Sequence, residues 1–434
     1  MTDHRQILRD AFLAAVERVK PDRLIRDHIT AGPDAWSVAG ERVACDGPGR
    51  LMVVGAGKAS GLMAHALEAL LGAHIATGAV VVKRGHAVPC RRIEMFEAGH
   101  PYPDAEGLAA TARIVALCRT AGPDDCFIVL LSGGGSALLA DVPSGCTLAE
   151  LADLSKALVT SGADIHEINA VRKHLSGVKG GQLARLAAPA RVVSLILSDV
   201  VGDPLDVIAS GPTVPDPSTF ADAAEICRRH GVWDRMPRAL RRVLEEGVAG
   251  ARAETPKPGD PALSRCTNRL IGNNRLALEA CRAWLTARGV EAEIVTDRLD
   301  GDSEAAAGRM VEALCALRRP RALLFGGETT LAVRGPGLGG RNQHLALKAA
   351  CLLRGRPGLT LLAAGTDGTD GPTDAAGAVV DGTTYEDAAR CGIDPEAALR
   401  TFDAYRFFRA AGGHVITGPT LTNVMDVAIA WRHG

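Results

Sequence analysis

The sequence predicts an α/β protein of two domains, the first built on a parallel sheet and the second on a mixed one. Three observations carry this. A chain of 434 residues is too long for one ordinary core, so two domains are expected. Short β-branched runs alternate with helix-like stretches along most of its length, as parallel strands covered by helices do. The alternation fails once, between about 247 and 268, where "GVAGARAETPKPGDPALSR" is dense in Gly and Pro and has no apolar period. The expected division is therefore 1–246, a linker at 247–268, and 269–434.

The elements follow in order. "MTDHRQILRDAFLAAVERV" is an amphipathic helix whose interspersed charges do not suit a signal peptide. "LMVV" at 51–54 precedes a helix near 59–71, and "GAVVVK" at 78–83 leads through a loop to a helix near 104–120. "CFIVLL" at 126–131 runs into a glycine turn, and "RVVSLILS" at 191–198 follows two helical segments. Beyond the break come "RLIG", a helix near 274–288, "EAEIVT", a helix near 302–319 and "RALLFGG". "TTLAVRG", a helix near 342–354, "LTLLAAG" and "GAVVD" complete the series. The later strands are closely spaced, so some pair antiparallel.

Composition narrows the function. The 49 basic and 50 acidic residues leave a net charge of −1, and aromatics make up 3%. That balance suggests neither a nucleic-acid nor a membrane partner. Eleven cysteines, an odd number with no CxxC pair, indicate neither a zinc nor a disulfide framework. No apolar run approaches bilayer length. A soluble cytoplasmic protein is expected, and a homodimer is left open.

Five unusual turns carry the chemistry. "GAGKASG" at 55–61 places Gly57 and Lys58 at a helix start. It fails as a dinucleotide fingerprint, because its third glycine falls at Gly61 and the second strand ends in Lys83 and Arg84, with no acid to hold a ribose. A lysine beside the positive end of a helix points to an anionic ligand, unless it is simply solvated. "SGGGS", Ser132, Gly133, Gly134, Gly135 and Ser136, follows an apolar strand and suits an anion nest, with a flexible surface turn as the plainer reading. "LSDVVGDPLDVIASGPT" at 197–213 carries Asp199, Asp203 and Asp206, residues that bind Mg²⁺ or take a proton and that equally cap helices. "GGETTLAVRGPGLGGRNQ" at 326–343 sets Glu328, Arg334, Arg341, Asn342 and Gln343 among glycines, and arginine grips carboxylate or phosphate with two bonds. "AAGTDGTDGPTDAAGAVVD" at 363–381 brings Asp367, Asp370 and Asp374, a set suited to a hard cation. Between the second and third turns, Asn169, Arg172 and Lys173 share a helix, with His174 and Lys179 beyond. Cations at Lys58, Arg172, Lys173 and Arg341 beside acid-rich loops fit an anionic substrate with a metal nucleotide.

These stretches together resemble the type 2 glycerate kinases, the MOFRL family, whose members also carry the name hydroxypyruvate reductase. "VVGAGKAS", "LLSGGGSALL", "INAVRKHLSGVKGGQLA", "LILSDVVGDPLDVIASGPT", "GGRNQ" and "AAGTDGTDGPTDAAGAV" stand in the family's order over nearly the whole chain. The resemblance implies a Rossmann-like domain and a mixed-sheet domain, with ATP and D-glycerate meeting in the cleft between them and 2-phosphoglycerate as product. It makes Lys58 the active-site lysine, Arg341 the cleft arginine and Ser132 to Ser136, with Gly57, the phosphate cradle. Asn169, Arg172, Lys173, Glu328 and Asn342 are candidate substrate or phosphate contacts. Asp199 is a candidate catalytic acid–base group, and Asp199 with Asp367 a candidate Mg²⁺ pair. Two residues depart from the pattern: His344 stands where Glu is usual, and Leu421 where Gly is usual.

Two other readings compete. An NAD(P)H-dependent hydroxypyruvate reductase needs a hydride cofactor site; the fingerprint is defective, although Lys83 and Arg84 offer charge for a 2′-phosphate. A non-catalytic sugar-acid or nucleotide sensor would need an output domain, and the sequence contains none that is recognisable.

Overall fold

The computed structural model describes residues 3–32, 35–44 and 49–434. The chain forms two compact units: Leu24–Ser198 with Asp203–Ile271, and Met1–Arg23 with Asp199–Gly202 and Gly272–Gly434.

The first unit holds a six-stranded sheet in the order Ile93–Ala98, Ile75–Lys83, Leu51–Ala56, Cys126–Leu131, Arg191–Leu197, Cys266–Gly272. The first five strands pair in parallel. Numbered along the chain, the order is 3-2-1-4-5-6, the Rossmann arrangement, whose direction of winding reverses between strands 1 and 4. Every residue of Leu51–Ala56 and Cys126–Leu131 is buried. Both faces of these strands are covered, which is why they read as unbroken apolar runs. A small antiparallel sheet, Ile29–Ala31, Ala35–Val38 and Glu41–Ala44, joins this unit without having been expected. A separate helical core is built around Leu154, Val171, Phe220 and Leu240.

The Gly/Pro-rich stretch expected as a linker is packed into this same unit. Thr255 is buried and donates to Asp216 at 3.0 Å, Pro256 O accepts the Asp216 N–H at 2.8 Å, and Arg185 bonds Glu254 O at 2.8 Å. Its Gly and Pro content prevents regular structure without marking a boundary.

The second unit has a mixed sheet, as expected, in the order Ala292–Leu299, Arg321–Gly327, Asp426–Arg432, Leu359–Gly365, Gly377–Asp381, His414–Val415. Its first pair is parallel and the others antiparallel. The amino-terminal helix His4–Arg18 belongs here, and not with the residues that follow it as the 1–246 division had it. It buries Leu8, Ala11, Phe12, Ala15 and Val16 against helix Asn274–Thr286 and strand Leu359–Gly365, and Arg5 grips Asp381 with two bonds of 2.6 and 2.7 Å.

"TTLAVRG", expected as a strand, is irregular apart from a single bridge between Thr330 and Asp302. The segment instead lies against 401–405: Gly337 N–H bonds Thr401 O at 3.0 Å, Leu338 N–H bonds Asp403 at 3.0 Å, and Leu338 O accepts from Tyr405 N–H at 2.8 Å. Among the described residues no helix is long and apolar enough to cross a membrane.

Candidate active site

In the Rossmann-like unit, the turns after strands 1 and 4 leave the sheet side by side at the reversal point, where ligands bind in such folds. They are knitted together by main chain: Gly57 N–H bonds Val81 O at 3.1 Å, Lys58 N–H bonds Gly133 O at 2.9 Å, and Ser132 N–H bonds Ala56 O at 3.2 Å. Ser132 Oγ accepts the Ala59 N–H at 3.0 Å and lies 3.1 Å from Ser60 Oγ. Gly57 must be glycine. With φ at 147°, a Cβ there would stand 2.1 Å from Ser132 Oγ and 2.6 Å from its carbonyl oxygen.

What remains unspent in these turns is positive. Among the described residues the Lys58 ammonium has neither a hydrogen bond nor an ion pair, and the Gly133 and Gly134 amides have no acceptor. The cradle's far end is fixed. Ser210 donates to Asn169 Oδ1 at 3.1 Å, so the 2.8 Å contact between Ser136 and Ser210 is donated by Ser136. Ala209, Ser210 and Gly211 all hold positive φ, 51°, 59° and 57°. Such strain persists only where surrounding structure enforces it, and it clusters at functional sites.

The basic helix Ile165–His174 divides its charges. Lys173, expected among the anion contacts, is instead 3% exposed and committed inside the protein, to Asp206 at 3.1 Å and Asp216 at 3.4 Å. Lys179 is likewise buried, on Leu139 O at 2.8 Å and Asp141 at 3.4 Å, and burial lowers its pKa against the pull of Asp141. Arg172 differs. Its guanidinium is half-buried, close enough to Lys179 to disfavour that charge, and has no acceptor among the described residues. Burial alone pulls its pKa below the ordinary arginine value.

The second unit presents the opposite case, in which the cation is already satisfied. Arg341 Nε and Nη2 bond both oxygens of buried Asp426, at 2.6 and 3.0 Å, and Nη1 meets Glu328 at 2.6 Å. Burial works to lower its pKa, but Asp426 and Glu328 outweigh it and hold the guanidinium above the usual range. The start of helix Arg341–Leu353 is also occupied. Asp370 accepts the Asn342 and Gln343 N–H groups at 3.0 and 2.8 Å, and the Asn342 and Gln343 side chains turn to it as well. Burial pushes the Asp370 pKa up to about 6, with Asp426 adding to the rise and these donors opposing it. Asp370, grouped by sequence with cation ligands, is therefore a helix cap.

Asp199 accepts from Asn423 Nδ2 at 3.3 Å, and Asp367 O accepts from Thr420 N–H at 3.3 Å, so both touch the 420–423 stretch. Among the described residues no group of three His, Cys, Asp or Glu side chains converges as a metal site. Mg²⁺ arriving with a nucleotide needs only one or two carboxylates, since phosphates and waters complete its shell. The donor chemistry at Asp199 and Asp367 is thus suitable.

The departures are accommodated. His344 Nε2 pairs with Glu304 at 3.0 Å and its ring stacks on Phe402. Leu421 sits at φ 59°, a conformation that explains why glycine is usual there. A hollow of about 430 Å³ is lined by 87–95 and not by the glycine turns. Asp426 and His100 escaped the sequence reading, the first as an acid opening a terminal strand, the second as a histidine in a proline-rich turn.

Family models match at both ends of the chain: a domain of unknown function, DUF4147, over residues 7–245 and the MOFRL family over 321–426. The D-glycerate 2-kinase of Thermotoga maritima is 42% identical over 96% of this chain and 95% of its own. The glycerate 2-kinase of Pyrococcus horikoshii is 39% identical over 96% and 94%. The chain belongs to the glycerate kinase family. A crystal structure of glycerate kinase from Thermotoga maritima superposes with a TM-score of 0.87 at 39% identity, covering 99% of each chain. A relative from Agrobacterium vitis, 42% identical over 98% of this chain and 93% of its own, bears a provisional hydroxypyruvate reductase name.

Proposed function

We propose that this protein is a D-glycerate 2-kinase, transferring the γ-phosphoryl group of ATP to the C2 hydroxyl of D-glycerate. The observation that carries the reading is the set of unspent donors, Lys58, the Gly133 and Gly134 amides and Arg172, in a member of the glycerate kinase family. Phosphoryl transfer asks a protein chiefly for positioning and charge neutralisation. Lys58 and the two amides hold phosphate oxygens, within a frame set by Gly57, Ser132, Gly135, Ser136 and Asn169. Arg172 offers a planar fork for the carboxylate of glycerate, and fixing that carboxylate decides which hydroxyl lies in line.

In the transfer, a bond forms between the C2 oxygen and the γ-phosphorus while the bond from phosphorus to the bridging oxygen breaks. The electron pair leaves with ADP, and the hydroxyl proton passes to a carboxylate. Asp199 and Asp367 are the carboxylates we assign to that proton and to Mg²⁺, which supplies further charge neutralisation when bound. Arg341 is held by Asp426 and Glu328, and Asn342 by Asp370, so these residues order the second unit and are assigned no substrate contact. A cytoplasmic location suits an enzyme drawing on the soluble ATP pool.

A reductase reading finds less support. Arg84, one of the two cations offered for a 2′-phosphate, is engaged by Asp104 at 2.6 Å and Glu106 at 3.2 Å. The test is phosphorus NMR of the product formed from D-glycerate and Mg-ATP. 2-Phosphoglycerate is expected. A product that is mainly 3-phosphoglycerate overturns the regiochemistry, and consumption of NADPH by hydroxypyruvate without phosphoryl transfer overturns the kinase.

A further inference from the structure

We propose that His100 is a catalytic residue of this kinase, donating a hydrogen bond from Nε2 to the transferring phosphoryl group beside Lys58 and Gly134. The inference rests on the kinase reading and adds to it a residue that neither the glycine turns nor the basic helix supplies.

His100 lies two residues past the strand Ile93–Ala98, at the edge of the sheet from which the Lys58 and SGGGS turns also emerge. A Cβ built on Gly134 would stand 2.8 Å from both Cδ2 and Nε2 of the imidazole, and 3.4 Å from Lys58 Cγ. Imidazole edge, Gly134 main chain and Lys58 stem therefore share one van der Waals neighbourhood. The glycine at the apex, with φ at 80°, leaves the space that the ring occupies. The ring is half-buried, and among the described residues neither nitrogen has a hydrogen-bond partner.

The ionisable groups that act on it are Lys58, Lys83 and His86, all of them cationic or potentially so, and no carboxylate joins them. Burial first, and then those neighbours, bring its pKa down to about 4. At neutral pH the ring is uncharged and carries one N–H. With the proton on Nε2 the ring can donate beside these cationic neighbours, and an incoming phosphate oxygen is an acceptor for that N–H. A donor of this kind is worth most where charge builds up in the transition state.

The test compares His100→Ala and His100→Gln with the wild type in steady-state glycerate phosphorylation, with thermal unfolding measured alongside. The alanine variant is expected to lose about 10² in kcat. Glutamine, whose amide can stand in for Nε2–H, is expected to recover most of that loss, with KM for ATP moving far less than kcat. In a nitrogen-15 spectrum, the His100 ring resonances are expected to shift on adding inorganic pyrophosphate. Variants both within threefold of an active wild type would overturn the proposal and leave the kinase standing. An alanine loss that glutamine does not relieve, tracking the fall in unfolding temperature, reduces His100 to packing and also overturns it. Should the wild type not phosphorylate glycerate, the kinase reading fails by itself. The pyrophosphate titration still decides whether His100 meets phosphate, and unmoved ring resonances refute that. If the alanine variant does not fold, the glutamine variant and the titration carry the test.

Discussion

Replacing Ser132 by alanine probes the joint between the two glycine turns. Ser60 Oγ–H has one hydrogen and gives it to Leu130 O at 3.1 Å. The 3.1 Å contact between the two hydroxyls must then be donated by Ser132, whose oxygen in turn accepts the Ala59 N–H at 3.0 Å. The order of donors is Ala59, Ser132, Ser60, ending on Leu130 O. Ala59, Ser60 and Ser132 are 2%, 0% and 1% exposed. Alanine at 132 strands the Ala59 N–H in a space too small for a water to replace the hydroxyl. A buried donor left unmet costs roughly 1–3 kcal/mol, while Ser60 keeps its bond to the strand. We expect about 2 kcal/mol of local destabilisation, equivalent to about 30-fold in an opening equilibrium. Hydrogen exchange at the Ala59 amide reads this directly. Because Lys58 N–H is tied to Gly133 O at 2.9 Å in the same joint, kcat is expected to fall by about tenfold as the lysine loses its fixed position. Unchanged Ala59 exchange in the Ser132→Ala variant would refute the assigned bond order.

The unspent and the spent cations should behave oppositely. Lys58→Met and Arg172→Met remove groups with no protein acceptor among the described residues, so unfolding temperatures should hold. Turnover should fall by about two to three orders of magnitude at Lys58, and KM for glycerate should rise at Arg172. Arg341→Met strands buried Asp426 and should cost about 3–5 kcal/mol in urea unfolding. Asp370 has a native pKa raised from 3.8 to about 6. Between those values the native state binds more protons than the unfolded one, so this carboxyl makes stability fall as pH rises from about 4 to 6. The full contribution is about 3 kcal/mol. Asp370→Asn should abolish that slope, whereas Asp125 and Asp381, lowered to about 2, lose their stabilising effect only as pH falls below about 4. Leu421→Gly should relieve the left-handed strain at φ 59° and raise stability by about 0.5–1 kcal/mol, net of glycine's entropy. A destabilised variant would contradict that.

The central strands of the Rossmann-like unit were readable because a strand buried on both faces leaves an apolar run, as in "CFIVLL". Ile93–Ala98 was not, since an edge strand with Glu94 and Glu97 outward lacks that run. Asp426–Arg432, central in the mixed sheet, was missed because a short apolar stretch near a terminus does not announce its neighbours. The amphipathic pattern of residues 4–18 was plain as a helix, yet periodicity says that a face is buried and not what buries it. Among site candidates, glycine turns betray themselves through the entropy they cost. Pairing does not: Lys173 and Arg172 are adjacent in sequence, and only the fold gives one two carboxylates and the other none among the described residues.

The amino-terminal helix has a consequence for synthesis. Arg5 waits for Asp381, 376 residues downstream, and at about 5–20 residues per second the ribosome needs roughly 20–75 s to deliver it. Until helix Asn274–Thr286 is made, Leu8, Phe12 and Val16 lack the surface that covers most of them, and the whole Rossmann-like unit is made before it. The chain therefore emerges with an apolar helix that its own first-completed unit does not bury. Nascent-chain handling, more than the stability of the finished enzyme, is where changes to that helix should first be felt.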